Sequence, residues 1–472
     1  MLFPSEIFLF AFLPLVVAVY YALLRKNVTL KNIWLLVASL IFYAWGEPVY
    51  VFLMIGVILF DYAAGYALGY CSRGNETIRR CILIVTIIVN ICVLGWFKYA
   101  HFIFSEINRA FGSSISIAEN VVLPIGISFF TFQAMSYVFD VYQGTVTATR
   151  NPLKVALYVS FFPQLIAGPI VRYNTVEEQI DHRRESLPLF SEGLVRFLKG
   201  LVKKVIIANN MAIVADAVWG LVIGDRLEAS VALAWLGAIS YSLQIYFDFS
   251  GYSDMAIGLG RMFGFEFQEN FRHPYTAGSL TGFWRRWHIS LTGWFRDYVF
   301  IPLGGSRVSQ GRLIFNVFII WLLTGIWHGA NWTFLIWGML HFLVMVIEKL
   351  RGIGPDRKSW WGHIYTLVIV CIGWVIFRSD SLTEAVIYIK GMFGGGSGAI
   401  IDKSVFAFLQ QNVVYYVLAL IGCFPTLDYL EERYKDKLAW NVAYAVVLGI
   451  AVIVSISFII NNAYSPFIYF NF

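Results

Sequence analysis

The sequence predicts an all-α polytopic membrane protein, with about 11–12 transmembrane helices and two re-entrant segments. Three observations carry that reading. Only 14% of the 472 residues are charged, against roughly 25% in an ordinary soluble domain. Hydrophobic residues make up 59% and the mean hydropathy is +0.69, more apolar surface than one compact globule can bury beneath a charged exterior. Apolar runs of near 20 residues recur, each long enough to cross a hydrocarbon core of about 30 Å. A water-soluble enzyme, a disordered chain and a fibrous protein are excluded. Residues 1–472 read as one membrane-embedded domain, with residues 467–472 as a short aromatic tail.

Taken in order, the expected spans are 2–24, 32–45, 49–70, 81–97, 121–143, 201–223, 229–249, 313–329, 332–348, 361–377, 411–430 and 438–460. The first has no basic residue before Arg25 and no small-x-small site, so it reads as an uncleaved span. The 35 basic residues then set an orientation. With an external N-terminus, 29 of them fall in cytoplasmic loops: Arg25, Lys26 and Lys31; Arg73, Arg79 and Arg80; and four further groups between Arg150 and Lys437. Six (Lys98, Arg109, Arg226, Arg378, Lys390 and Lys403) lie outside. That bias follows the positive-inside rule and puts both termini on the extracytoplasmic side.

Two stretches fit poorly as crossings because basic residues flank both ends on one side: 153–170, with FFPQLIAGPI, and 281–303, with GFWRRWHISLTGWFRDYVFIPLGG. Both read as re-entrant or interfacial. Irregular backbone at membrane depth is tolerated only where protein or a water-filled cavity surrounds it, so a cavity is implied. No internal repeat pairs two halves of the chain, which weighs against a secondary transporter. The five cysteines lack metal or disulfide spacing and read as small apolar residues, and no metal site is expected.

Ionisable groups at membrane depth cost several kcal/mol and need a partner, a cavity or a function. In TGIWHGANWTFLIWG, His328 lies between apolar runs, with Thr324 one turn earlier and Asn331 one turn later on a similar face. An imidazole can take and return a proton near neutral pH, as a general base must; it can equally be a satisfied histidine packed by Trp327, Trp332 and Trp337 at a bend at Gly329. In FWRRWHISLTGWFRDY, Trp284, His288 and Thr292 would share a helix face while Arg285, Arg286 and Arg296 supply cations. Such arginines suit a phosphate-bearing ligand or, alternatively, snorkel to the interface. YFDFSGYSDMAIG adds Asp248 and Asp254, expected to pair structurally with Arg285 or Arg286; Asp61 and Asp140 are expected to be structural ion pairs as well. Phe467, Phe470 and Phe472 of the tail read as interfacial anchors. Tyr469 either anchors likewise or, folded back into a vestibule, offers a hydroxyl as an acyl acceptor.

WRRWHISLTGWFRDYVFIPLGGSR at 284–307, GIWHGANWTFLIWG at 325–338, FFPQLIAGPI at 161–170, YFDFSGYSDMAIG at 246–258 and the terminal FIYFNF together resemble the membrane-bound O-acyltransferase family. The branch they resemble is that of the alginate O-acetyltransferase-like proteins of bacterial envelopes. The two histidines stand forty residues apart in long, specific motifs, and the resemblance runs over essentially the whole chain.

The resemblance implies that His328 is the essential catalytic residue, that His288 is its partner, and that a central tunnel carries the acyl group past them. It implies an integral inner-membrane acetyltransferase that uses acetyl-coenzyme A as donor substrate, with no tightly bound cofactor. Arg285, Arg286, Trp284 and Asn331 are the expected donor-binding residues. Tyr469 is implied as a covalent relay to an extracytoplasmic serine-hydrolase-like acetyltransferase partner, with an envelope polysaccharide as final acceptor and no nucleic acid involved. Two alternatives stand beside it: D-alanyl transfer from a carrier protein to teichoic acid, and non-enzymatic transport of an acetylated compound.

Overall fold

A computed structural model of the chain describes residues 1–24, 27–71, 74–115, 122–224, 229–395, 399–461 and 467–468. Arg25, Lys26, Arg73 and Arg226 of the topology argument, and Tyr469, Phe470 and Phe472 of the tail, lie outside the described residues. Every regular element among the described residues is helical. In chain order the elements are α1 (Phe8–Leu23), α2 (Val28–Ala44), α3 (Tyr50–Cys71), α4 (Glu76–Phe111), α5 (Ile127–Gln143), α6 (Pro152–Ser160), α7 (Phe162–Leu165), α8 (Tyr173–His182), α9 (Leu187–Gly224) and α10 (Val231–Met262). They continue as α11 (Leu280–Trp284), α12 (Ile289–Phe295), α13 (Gln310–His328), α14 (Trp332–Leu350), α15 (Trp360–Arg378), α16 (Leu382–Met392), α17 (Lys403–Cys423), α18 (Thr426–Tyr434) and α19 (Leu438–Ile460).

Eight of these, α3, α4, α9, α13, α14, α15, α17 and α19, are long and apolar enough to cross a membrane. The expected spans at 2–24 and 32–45 correspond to the shorter apolar helices α1 and α2. α19 shows what surrounds such helices. Only 11% of its most apolar window is buried, and Val442, Val446, Val447, Ile450 and Ile453 are all exposed, an arrangement stable against lipid and not against water.

Several boundaries differ from the sequence expectation. α4 runs 36 residues from its Asn75 cap, so Lys98 and Arg109 are helical and not in a loop. The span expected at 411–430 is α17, which starts eight residues earlier because the Asp402 side chain accepts the amides of Ser404 and Val405. It stops at Cys423 because Phe424, preceding Pro425, is held extended. Lys31 and Lys204, expected in loops, are buried inside α2 and α9.

The two stretches that failed as crossings are helices broken too short to span. In 153–170, α6 ends where Phe161 turns extended, four helical residues follow, and nearly every side chain from Val155 to Val171 is buried. Backbone that leaves helical geometry here is enclosed by protein, as membrane depth requires.

The chain divides into two compact units. The first comprises Met1–Phe197 with Ser253–Gln268. Within it, Glu185 gathers Lys31, Arg183 and the Tyr20 hydroxyl, and Arg196 pairs with Asp254 at 2.5 Å. Among the described residues Asp61 pairs with no cation; its carboxyl accepts from Asn90 Nδ2 at 3.0 Å, a carboxamide serving where an ion pair was expected. The second unit comprises Leu198–Tyr252 with Glu269–Phe472. It holds both motif histidines and an aromatic core built from α11, α13, α14 and α15.

Candidate active site

His328 is the last residue of α13. Gly329 is extended, and a Cβ there would meet the Phe334 ring at 2.1 Å, so any side chain at the turn would have to displace that ring. α14 starts at once, capped by Asn331 through the Thr333 amide. Asn331 therefore does not lie one turn beyond His328 on the same helix; it begins the next one, and its Nδ2 donates to the Asp380 carbonyl. The hairpin is tight because Gly325 and Gly338 face backbone across it, where Cβ atoms would sit 2.7 and 2.6 Å from the Phe334 and Trp321 carbonyls. The imidazole of His328 is 3% exposed, with the rings of Trp327, Trp337 and Phe377 at 4.9, 5.0 and 5.1 Å between centroids, all edge-on.

His288 is reached differently. α11 ends at Trp284, and His288 has φ 46°, one of two non-glycine residues in the left-handed region among the described residues. Trp284, His288 and Thr292 thus do not share a helix face as expected; the chain kinks at the histidine before α12. Asn270 holds the kink. Its Oδ1 accepts from the Ser290 amide at 3.2 Å and from the Ser290 hydroxyl at 2.9 Å, which identifies that atom as the oxygen. His288 Nδ1, 3.1 Å from the same oxygen, therefore carries a hydrogen, and in the neutral ring Nε2 keeps the lone pair. The Ile289 amide bonds the Asn270 carbonyl at 3.0 Å and the Arg272 amide bonds the Arg286 carbonyl at 3.0 Å, so residues 270–272 and 286–290 form one braced segment.

α11 is fixed from its start by Glu348, a completely buried carboxylate at the end of α14. It accepts the Leu280 amide at 2.6 Å, the Thr281 amide at 2.8 Å and the Thr281 hydroxyl at 2.6 Å. A carboxylate at a helix N-terminus satisfies donors that would otherwise be stranded. α14 thus walls His328 with Trp337 and caps the helix leading to His288 with Glu348.

The tryptophans of WRRWH turn inward and the arginines outward. Trp284 packs on Trp321, Trp337 and His341 at 4.9, 5.6 and 5.1 Å. Arg285 is exposed, and Arg286 is half-buried and donates to Thr276 Oγ1 at 2.8 Å. Neither takes the expected carboxylates: Asp248 is paired with Lys204 at 2.5 Å and Asp254 with Arg196. The acids of α10 are met by residues of the preceding long helix, α9. Beyond the membrane-spanning helices, His273 Nε2 contacts Asp428 of α18 at 2.8 Å and holds that carboxyl below the usual carboxylate range.

The structure therefore brings His288, His328 and Trp284 into one aromatic cluster. Arg285 and Arg286 turn to its outer side, and Asn331 caps a bordering helix. Tyr469 lies outside the described residues, but two residues before it are placed: Phe467 is 1% exposed and stacks on Tyr252 at 4.8 Å, so it is a core residue and not an interfacial anchor. Three residues escaped the sequence reading: His341, Asn270 and Glu348. His341 stacks on Trp321 at 5.0 Å and its Nδ1–H donates to the Trp337 carbonyl at 2.8 Å. Glu348 had a visible signal, a lone acid closing the apolar run VMVIEKL; Asn270, a loop residue far from His288 in sequence, had none.

A multi-pass membrane protein with two buried histidines in an aromatic enclosure defines a class, and comparison with known proteins places the chain within it. The chain belongs to the membrane-bound O-acyltransferase family, whose family model matches residues 82–352, and it is an O-acyltransferase. It is 43% identical over 93% of its length to the probable alginate O-acetylase of Pseudomonas syringae pv. tomato, covering 84% of that protein. It is 34% identical to the peptidoglycan O-acetyltransferase of Helicobacter pylori, with 100% of this chain and 98% of that protein covered. The teichoic acid D-alanyltransferase of Bacillus subtilis is 27% identical over 55% of this chain and 69% of its own. Enzymatic acyl transfer sets aside the reading as a non-enzymatic transporter.

Proposed function

We propose that the chain is an inner-membrane O-acetyltransferase that takes acetyl groups from acetyl-coenzyme A at the cytoplasmic face and passes them outward for O-acetylation of an envelope polysaccharide. The observation that carries this reading is the position of His328: a buried imidazole ending a helix, walled by three aromatic rings, in a chain of this family. Its relatives named for alginate and peptidoglycan acetylation match nearly the whole chain, whereas the D-alanyltransferase matches about half, which favours acetyl over D-alanyl transfer.

In the proposed sequence, His328 takes the proton of the acceptor hydroxyl, that of Tyr469, as its oxygen attacks the thioester carbonyl. The tetrahedral intermediate collapses with cleavage of the C–S bond. The departing coenzyme A thiolate receives the proton from the imidazolium, leaving an acetyl-tyrosine ester and a neutral histidine. His288, braced by Asn270, orients the site. A phenol has a pKa near 10, so the base is needed. Arg285 and Arg286 attract the donor's phosphates, while Trp284 walls the aromatic cluster and Asn331 fixes the start of α14 next to His328. An extracytoplasmic serine-hydrolase-like acetyltransferase then takes the acetyl group from Tyr469 to sugar hydroxyls. Both termini lie outside in this arrangement.

The test uses membranes supplied with isotope-labelled acetyl-coenzyme A. Tyr469→Phe is expected to abolish polymer acetylation while leaving expression intact, and full activity in that variant rules out the relay. Labelled D-alanyl carrier protein, offered in parallel, is expected to transfer nothing.

A further inference from the structure

Lys204 on α9 and Asp248 on α10 form an ion pair at 2.5 Å with side chains 3% and 2% exposed. Burying two charges is costly, and replacing such a pair by apolar residues is often neutral or stabilising, so the pair is poorly explained by stability alone. Its second carboxylate oxygen shows another use: Asp248 Oδ2 accepts the backbone amide of Ile468 at 2.8 Å. One turn along α10, Tyr252 stacks on Phe467 at 4.8 Å with the rings 29° apart, and Phe249 lies 6.0 Å from the same ring. Phe249 also stands edge-on to His288 at 4.6 Å. Three residues within one turn of α10, Asp248, Phe249 and Tyr252, thus bind Phe467 and Ile468 by backbone and by aromatic side chain, and one of them touches a motif histidine.

We propose that Asp248, oriented by Lys204, is a positioning residue that seats Phe467 and Ile468 of the C-terminal tail in the protein core beside His288. The carboxylate reads a backbone N–H, which no tail side chain can supply, and Tyr252 and Phe249 read the phenyl ring at 467. Together they fix the tail's register. Tyr469 follows directly in the sequence, and loss of the seat is expected to impair its use as an acceptor. That functional consequence rests on the relay reading above; the seat itself does not.

The experiment places a reporter in the tail, Ile468→Cys, and measures its modification by a maleimide in the full-length, membrane-embedded chain, read on the C-terminal peptide by mass spectrometry. With Lys204 and Asp248 intact the thiol is expected to be protected. In Lys204→Met/Asp248→Leu, which removes both charges at similar volume, modification is expected to be at least about tenfold faster, and polymer acetylation in the same pair without the reporter to fall by a similar factor. Unchanged protection overturns the proposal. Faster modification with acetylation intact keeps the seat and removes the relay. Should the double variant fail to fold, Asp248→Asn keeps size and reports the same two rates, with Asp248→Glu expected to restore protection in part.

Discussion

His288 and His328 pack against the same indole: Trp327 lies 6.0 Å from the His288 ring and 4.9 Å from that of His328, edge-on to both. Two motifs forty residues apart in sequence are thereby coupled through one rigid side chain. Trp327 is 4% exposed and neighbours His328 in the chain, so moving either ring requires repacking the other. Trp327→Leu removes that common wall while leaving both histidines in place. It is expected to lower the acetyl-transfer rate by one to two orders of magnitude, about the cost of misplacing reacting groups by an ångström. KM for acetyl-coenzyme A should change little, and steady-state kinetics in membranes separates the two.

Glu348 carries the other coupling, from α14 to the helix leading into His288. Glu348→Ala strands two buried amide donors and a hydroxyl, at about 1–3 kcal/mol for each unsatisfied group. The expected outcome is a lower melting temperature together with a reduced rate, whereas Glu348→Gln, which keeps one carbonyl oxygen, should recover part of both. Thermal unfolding in detergent and transfer rates, measured on the same preparations, check this.

The α13–α14 hairpin sets the depth of His328 through glycine. Gly338→Val introduces a branched side chain where even a Cβ would sit 2.6 Å from a backbone carbonyl, and the helices must separate. Overpacking of this kind costs about 1–3 kcal/mol. Activity is expected to fall further than stability, because His328 sits at the end of the displaced helix. Gly449→Val in α19, where nothing lies within 4 Å, is the control expected to change neither.

The His273–Asp428 pair anchors the loop that supplies Asn270, and it has a defined pH signature. Because the hydrogen bond from His273 depresses the Asp428 pKa, the pair contributes stability above the ordinary carboxylate value of about 3.9 and loses it as pH falls through the depressed value. Asp428 is exposed, so the contribution is under about 1 kcal/mol. Asp428→Asn is expected to lower the melting temperature slightly near pH 6 and to match the parent once the pH is below the depressed pKa. A gap that widens on acidification contradicts the assignment.

What the sequence made legible was whatever local pattern determines. Apolar run length located most of α3, α13, α14, α15 and α19, and the two broken segments were marked by charges flanking both ends. The histidines stood out because an imidazole inside an apolar run is rare. Their surroundings did not follow, for physical reasons. The kink at His288 needs a left-handed residue that Asn270 stabilises from a distant loop, and helical periodicity carries no trace of it. Asp248 and Asp254 were visible, but their partners are set by which long helices lie alongside, so nearby arginines were the wrong choice. Phe467 looked like an interfacial aromatic because burial of a tail is decided by a carboxylate more than two hundred residues away.

In the proposed route the acetyl group leaves coenzyme A with the help of His328 and resides on the chain's own tail. Purified protein, without its acceptor partner, would be incubated with isotope-labelled acetyl-coenzyme A and its C-terminal peptide analysed by mass spectrometry. One labelled acetyl group is expected on Tyr469, absent in His328→Ala. An unmodified tail alongside labelled polymer in complete membranes, or equal labelling of Tyr469 in His328→Ala, would contradict it.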